Sequence, residues 1–160
     1  MLSREMESKA VVGQEPNVVL STSLTHLLHR ACQVADSIFN EEAGKTGLTT
    51  RQFAVLIAVA KNRDISQTGL VQVTGIDRST VAEIVKRLLR RGLIKRKRTR
   101  LDARAYAVRL TEDGEALLAA VEPAARRAEE RLTSVLRDPS VSTNLAEALG
   151  QLVDAFPPQK

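Results

Sequence analysis

The sequence predicts a mainly α-helical fold that carries one small β-hairpin. Apolar residues recur at steps of three and four along most of the chain, which is the spacing of one face of a helix. Aromatic residues make up only 2% of the 160 residues while 43% are hydrophobic, so the core must be aliphatic. Two short segments at 93–98 and 105–110 partly alternate apolar and polar residues around a polar turn, which is typical of a hairpin. The length suffices for one ordinary domain with a real core.

The N-terminal part of the chain is expected to hold an arm and two helices. Residues 1–16 are polar and lack periodicity, so they are interpreted as a flexible arm. The first helix is expected to begin between positions 17 and 23 and to end before Gly44, because glycine favours a helix end. A second helix begins at Thr49 or Thr50, either of which can cap it.

Two shorter helices follow in close succession. Ser66 is expected to cap the first of them and Gly75 to end it. Asp77 is expected to cap the next helix, which runs to about Arg91. Because only the tight turn at 74–77 joins them, the pair is predicted to be a helix-turn-helix.

The hairpin comes directly after the second helix of this pair, which makes the motif a winged helix-turn-helix. In that arrangement the second helix, called here the recognition helix, lies in the major groove of DNA. The hairpin, called here the wing, reaches along the DNA backbone or into a minor groove. The residues therefore predict a DNA-binding lobe.

A long helix and a shorter one are expected after the wing. Thr111 is predicted to cap the long helix, and Pro123 to bend it or to end its first segment. Pro139 is expected to interrupt the chain. A last helix is then predicted from about Ser142 to Phe156.

Positive charge is concentrated in the segment that holds the recognition helix and the wing. The chain carries a net charge of +5. The 34 residues from Asp77 to Leu110 carry +9, and the rest of the chain carries −4. A basic stripe on a helix-turn-helix is the electrostatic pattern of a nucleic-acid-binding surface, so DNA is expected to bind here.

Individual side chains in this segment suit particular contacts. A helix N-terminus attracts phosphate, and small hydroxyl residues there permit close approach. Arg78 can reach a base edge, ideally guanine through two hydrogen bonds. Tyr106, on a wing strand, is expected to pack rather than to contact DNA. The predicted DNA-contacting residues are Ser66, Gln67, Thr68, Arg78, Ser79, Thr80, Lys86, Arg87, Arg98, Arg100 and Arg104.

The sequence over roughly residues 20–156 resembles the MarR family of regulators. The matching motifs are LTTRQFAVL at 48–56, GIDRSTV at 75–81, RLLRRGLI at 87–94, DAR at 102–104 and RLT at 109–111. The resemblance implies that Arg104 enters the minor groove and that Asp102 braces a neighbouring arginine. It also implies a dimer formed by helices at 17–47 and 111–156, with a DNA-binding lobe at 48–110. Gly69 departs from the family pattern, which often has an acidic residue there.

The resemblance further implies a small effector bound between the dimer helices and the DNA-binding lobe. The branch that it resembles most controls the degradation of aromatic acids such as hydroxycinnamates and benzoates. The effector is therefore expected to be an aromatic acid or its coenzyme A thioester, and binding of the effector is expected to relieve repression. The expected lining residues are His29, Arg30, Gln33, Phe39, Phe53 and Ile57.

Two other regulatory or DNA-binding roles stay open from the sequence. Cys32 could act as a redox sensor, although a small buried packing role is the preferred interpretation. The chain could also be a DNA-architectural protein that ignores small molecules. A footprint over a palindromic operator and a response to ligand would separate these alternatives.

Several other classes of protein are not expected. There is no glycine-rich phosphate loop, paired His/carboxylate motif or nucleophile elbow, so no enzyme is predicted. His26, His29 and Cys32 span too much of the helix circumference to hold one zinc ion, and no metal or cofactor is expected. No apolar run of about 18 residues and no signal peptide are found, so a soluble cytoplasmic protein is predicted.

Overall fold

The computed structural model describes residues 20–98 and 106–157. The described residues fall into two compact units, one up to Gln33 and one from Val34 onward. The helices are α1 (Leu24–Ala43), α2 (Thr50–Lys61), α3 (Gln67–Thr74), α4 (Arg78–Arg90), α5 (Glu112–Thr133) and α6 (Pro139–Ala155), and a short 3-10 turn covers Gly44–Thr46. The strands are β1 (Ile65–Ser66), β2 (Ile94–Arg98) and β3 (Tyr106–Leu110). The predicted mainly helical fold is confirmed, and among the described helices none is both long and apolar enough to cross a membrane.

Side-chain caps fix the starts of the helices that build the lobe. The Thr49 hydroxyl accepts the Gln52 N–H, and the Gln52 side chain accepts the Thr49 N–H in return. This reciprocal capping box decides between the two threonines left open by the sequence. Ser66 and Asp77 cap α3 and α4 as expected. Because the caps are local, the sequence could locate these helix starts.

The wing belongs to a three-stranded antiparallel sheet of order β1-β3-β2. The hairpin register pairs Ile94 with Leu110 and Arg98 with Tyr106. The third strand, β1, has only two residues and pairs Ile65 with Val108. The sequence prediction missed it, because two residues are too few to show an alternating pattern.

The core is aliphatic, as the composition predicts, and lies between α2, α3, α4, the sheet and α5. Leu56, Leu70 and Leu88 are among its fully buried side chains. Phe39 joins this core, and its ring centroid lies 5.4 Å from that of Phe53. The core therefore holds the recognition helix and the base of the wing in one unit.

The structure narrows one expectation about proline and corrects another. Helix α5 runs on through Pro123, whose neighbours Val121 and Ala124 are buried, so of the two outcomes expected there only the bend stays a prediction. The last helix begins at Pro139 and not at Ser142. Proline is favoured in the first turn of a helix, where its missing N–H has no acceptor to lose. Asp138 caps the helix by accepting the Ser140 N–H at 2.9 Å.

The N-terminal end of α5 packs tightly on the start of β2. The Thr111 N–H donates to the Leu93 carbonyl at 3.1 Å, and the Thr111 hydroxyl donates to the Gly92 carbonyl at 2.6 Å. A Cβ added to Gly114 would lie 2.0 Å from the Leu93 carbonyl oxygen, so only glycine fits this approach. The contact fixes the base of the wing against α5.

Candidate nucleic-acid interface

The recognition helix α4 begins at a rigid, negatively charged cap. One carboxylate oxygen of Asp77 accepts the Ser79 hydroxyl at 2.5 Å and the Thr80 N–H at 2.9 Å. These hydrogen bonds, led by the one from Ser79, hold the pKa of Asp77 well below its usual range. Arg78 is exposed at the first position of the helix. The cap therefore fixes the backbone from which Arg78 and Thr80 project.

A cleft of about 300 Å³ runs between α4 and the start of α2. Three of the predicted DNA-contacting residues, Ser79, Thr80 and Arg87, line it together. Arg51 of α2 joins them, although the sequence analysis did not select it. The signal for Arg51 in the sequence was its place in the first turn of α2, next to the capping threonines, but the sequence did not show which helix packs beside that turn.

Lys86 does not share this cleft. Its ammonium group lies 3.7 Å from a carboxylate oxygen of Glu83, one turn back on α4. Both side chains are exposed, so the ion pair contributes little and leaves Lys86 free to exchange partners.

The start of α3 faces a second cleft, of about 310 Å³, in which the predicted Ser66, Gln67 and Thr68 meet two wing residues, Arg96 and Tyr106. The Arg96 guanidinium carbon lies 5.9 Å from the centre of the Tyr106 ring. Tyr106 is 45% exposed and packs against the Arg96 side chain, and its expected role in packing rather than in DNA contact stays a prediction. The hairpin register could have identified both residues, since alternation places Arg96 and Tyr106 on one face of the sheet.

Glycine at position 69 suits the tight start of α3. The Ser66 hydroxyl accepts the Gly69 N–H at 3.0 Å, so the cap survives the departure from the family pattern. A Cβ at Gly69 would lie 2.9 Å from a side-chain carbon of Ile65, so a larger residue would press on the strand β1.

The wing presents a dense row of cations. Lys95, Arg96, Lys97 and Arg98 are all exposed along β2. Arg98, a predicted DNA contact, is the last described residue of this strand. Arg100, Asp102 and Arg104 lie outside the described residues.

An ion pair joins the wing to the turn between α2 and β1. Both guanidinium N–H groups of Arg109 that face Asp64 donate to its carboxylate, one to each oxygen. The hydrogen bond from Arg109 lowers the pKa of Asp64, and Asp64 in turn raises the pKa of Arg109. Asp64 has a φ of 61°, a left-handed conformation that aspartate tolerates better than most residues.

The end of the recognition helix is tied to the connection between α1 and α2. The Arg91 guanidinium donates to the Gly47 carbonyl at 2.8 Å and to the Thr46 carbonyl at 3.0 Å. Gly47 has a φ of 66°, so the chain turns sharply where Arg91 holds it. The two bonds couple the position of α4 to that of the 44–47 connection.

The expected effector-lining residues are distributed over both units. Phe39 is buried and Phe53 and Ile57 are half-buried, all in the second unit. His29, Arg30 and Gln33 are exposed on the part of α1 that belongs to the first unit. That these six residues line an effector site stays a prediction. Cys32 is exposed in the protomer, so the expectation that it is buried is wrong there. In the described part of the chain, no group of His, Cys, Asp and Glu is arranged to hold a metal ion.

Comparison with known proteins places this geometry in a family. A family model described as the MarR family matches residues 46–105. The HTH-type transcriptional repressor NicR of Pseudomonas putida is 39% identical over 130 residues, which cover 81% of this chain and 82% of NicR. The structure of Bordetella bronchiseptica BpsR, whose DNA binding is regulated by 6-hydroxynicotinic acid, is 30% identical, with a TM-score of 0.80 over 86% of this chain and 97% of BpsR. The repressor CouR bound to a 23-mer DNA duplex is also 30% identical, with a TM-score of 0.75 over 84% of this chain and 95% of CouR. The chain belongs to the MarR family.

Proposed function

We propose that this chain is a ligand-responsive transcriptional repressor that binds a palindromic operator as a homodimer. Two observations carry the proposal. The capped recognition helix brings Ser79, Thr80 and Arg87 to one cleft, and the wing strand β2 carries four exposed cations. Similarity to the repressor NicR and to DNA-bound CouR supports it. In this role the chain acts in the cytoplasm and is not an enzyme.

The lobe at 48–110 contacts DNA in two places. The recognition helix enters the major groove, where Arg78 reads a base edge and the hydroxyls of Ser79 and Thr80 approach the backbone. The Ser79 hydroxyl already donates to Asp77, so its oxygen is held in place before DNA arrives. The wing adds phosphate contacts from β2, and Arg104 enters the minor groove.

The regions 17–47 and 111–156 form the dimer. In the protomer α6 buries none of its residues, and Leu145, Leu152 and Phe156 stand at least 40% exposed. Leu24, Leu27 and Val34 of α1 are exposed as well. Exposed apolar surface of this extent is stabilised when a second copy of the chain covers it. A two-fold dimer of this kind binds DNA half-sites about one helical turn apart.

The effector is an aromatic acid or its coenzyme A thioester. Support comes from similarity to BpsR, whose DNA binding is regulated by 6-hydroxynicotinic acid, an aromatic acid. The site is formed by His29, Arg30, Gln33, Phe39, Phe53 and Ile57, with Arg30 pairing the anionic group. A thioester would also bring phosphate charges towards the +9 segment and compete with DNA.

A redox-sensing regulator that acts through Cys32 is the second candidate. The exposure of Cys32 in the protomer favours it, because an oxidant can reach the thiol. In that case oxidation of Cys32, and not the binding of an organic ligand, would cause the protein to release DNA.

A DNA-binding titration tests the proposal. The full chain is titrated against duplex DNA from upstream of its own gene, with and without aromatic acids and their thioesters. We expect tight binding that one of these compounds releases, and Arg78→Ala should weaken it by roughly 5- to 150-fold, the cost of one lost base contact. Lys61→Ala, which removes one exposed positive charge at the last residue of α2, is the control and should bind like the unchanged protein.

Each other outcome has a distinct meaning. Tight binding released only by peroxide, and not after Cys32→Ser, would favour the redox regulator. Tight binding without sequence preference or ligand response would favour an architectural protein. Absence of DNA binding at low salt would overturn the proposal.

A further inference from the structure

A third cleft lies at the base of the wing, on the face of the sheet away from Arg96 and Tyr106. Lys95 and Arg109 are cross-strand partners in β2 and β3. Because side chains alternate along a strand, this pair faces the opposite side from Arg96. The cleft has a volume of about 380 Å³ and is called here the wing-base cleft. Its lining residues include none of the expected effector residues and none of the residues that line the cleft at the start of α3.

Three cations converge on the wing-base cleft. They are Arg63 from the turn after α2, Lys95 and Arg109, and Glu115 of α5 is the acidic residue of the lining. Arg109 is engaged by Asp64. Among the described residues, Arg63 and Lys95 take part in no ion pair. An anion placed between them would relieve the repulsion of like charges.

The remaining lining is apolar and of fitting size. Val59 of α2 and Leu110 of β3 form part of the wall. Pockets that hold small organic ligands span roughly 300–1,000 Å³ and are mostly apolar, and the wing-base cleft lies within that size range with a more polar lining that suits an anion. The wing-base cleft therefore suits a small acid with one carboxylate and an apolar body the size of a single ring.

We propose that the wing-base cleft is a second ligand site, which binds the carboxylate of a small organic acid through Arg63 and Lys95. The apolar body of the acid lies against Val59 and Leu110. The carboxylate competes with Asp64 for the guanidinium of Arg109, which forms the third side of the site. The effect of the site on DNA rests on the proposed function, but binding of the acid does not.

Competition for Arg109 would act on the wing. The pair of Asp64 and Arg109 holds the turn after α2 to β3, the central strand of the sheet. When the acid takes Arg109, that connection is released and the wing is held less firmly. Acid bound in the wing-base cleft therefore lowers the affinity for DNA.

Calorimetric titration of the full chain tests the site, with benzoate as the probe and neutral benzamide as its uncharged counterpart. Benzoate should bind at least about tenfold more tightly than benzamide, since a charge-assisted hydrogen bond is lost with the carboxylate. Lys95→Gln and Arg63→Gln should each lower the affinity for benzoate by about tenfold. Lys61→Gln removes an exposed charge from the same end of α2 outside the cleft and should change nothing.

One variant should act in the opposite direction. Asp64→Asn removes the competing charge, and asparagine tolerates the left-handed backbone at this position. Benzoate should therefore bind more tightly to Asp64→Asn, by a few-fold or more. A merely structural role for the ion pair would leave this affinity unchanged or lower it.

Arg30→Gln separates the wing-base cleft from the proposed effector site. If benzoate binding survives Arg30→Gln and is weakened by Lys95→Gln, the proposal stands, even in a protein that fails to bind DNA. If benzoate binding is lost only in Arg30→Gln, the wing-base cleft is not a ligand site, and the proposed function is unaffected. If Lys95→Gln and Arg63→Gln leave benzoate unchanged but reduce the affinity for DNA and its salt dependence, the cleft contacts phosphate of DNA and the proposal is overturned.

Discussion

Gly114→Ala should destabilise the protein strongly, against the usual effect of this substitution in a helix. Gly114 is the third residue of α5 and is buried. A methyl group there would lie 2.0 Å from the carbonyl oxygen of Leu93 and 3.0 Å from its carbonyl carbon. Both are backbone atoms, so no side chain can rotate away to make room.

The magnitude follows from what has to move. Replacing glycine by alanine inside a helix normally gains about 1 kcal/mol. Here the N-terminal end of α5 must shift, and overpacking of this kind lowers the free energy of unfolding by about 1–3 kcal/mol. The shift also weakens the bonds from Thr111 to Leu93 and Gly92, each worth about 1 kcal/mol. The net loss is about 3 kcal/mol, which lowers Tm by roughly 6–12 °C for a chain of this size.

Thermal unfolding followed by circular dichroism measures the effect. The protomer concentration is held fixed, because the stability of a dimer depends on it. Gly150→Ala is the control, since a Cβ there meets nothing within 4 Å and the position lies off the apolar stripe of α6. It should leave Tm unchanged or raise it. A Gly114→Ala protein as stable as the unchanged chain would show that the contact between α5 and the Leu93 carbonyl group is not as close as described.

Two further predictions concern the two ends of the recognition helix. Arg91→Ala removes the hydrogen bonds to the carbonyls of Thr46 and Gly47, so it should lower the free energy of unfolding by about 1 kcal/mol and also weaken DNA binding. The control, Arg90→Ala, should change the free energy of unfolding little. Equal losses of stability in the two variants would contradict the role assigned to Arg91. Asp77 has a pKa below its unfolded value of 3.8, so its carboxylate contributes stability that is complete above that pH and lost as the pH falls through the lowered pKa. On acidification from about pH 5 to about pH 3, Tm should therefore fall more in the unchanged chain than in Asp77→Asn, which keeps a neutral cap; parallel pH profiles would show that the charge of Asp77 is not stabilising.

The starts of helices were predictable from sequence because capping depends on residues only two or three positions apart. Ser66, Asp77 and Thr111 cap where the pattern indicates, and Thr49 is one of the two threonines that it offered. Pro139 misled the prediction because proline disrupts a helix interior but suits its first turn. The two-residue strand β1 has no periodicity of its own and exists only because Val108 lies opposite Ile65.

The parts of the candidate site that sequence reasoning missed depend on contacts between distant segments. Arg109 meets Asp64 across 45 positions, and Arg91 meets Thr46 across the same separation. Nothing in the local pattern links these pairs. Arg96 was overlooked for a different reason, since the basic run on β2 was not divided between the two faces of the sheet until the register with β3 was known.

Equilibrium binding of the full chain to duplex DNA is the most direct test of sequence-specific DNA binding. The DNA is recovered by selection from random sequences, and its binding is measured over a range of salt concentrations. We expect an enriched palindrome with half-sites about one helical turn apart. We also expect a logarithmic salt slope of about −5 if about six phosphates are neutralised. Selection that enriches no sequence, together with binding that does not respond to salt, would show that the chain is not a sequence-specific DNA-binding protein.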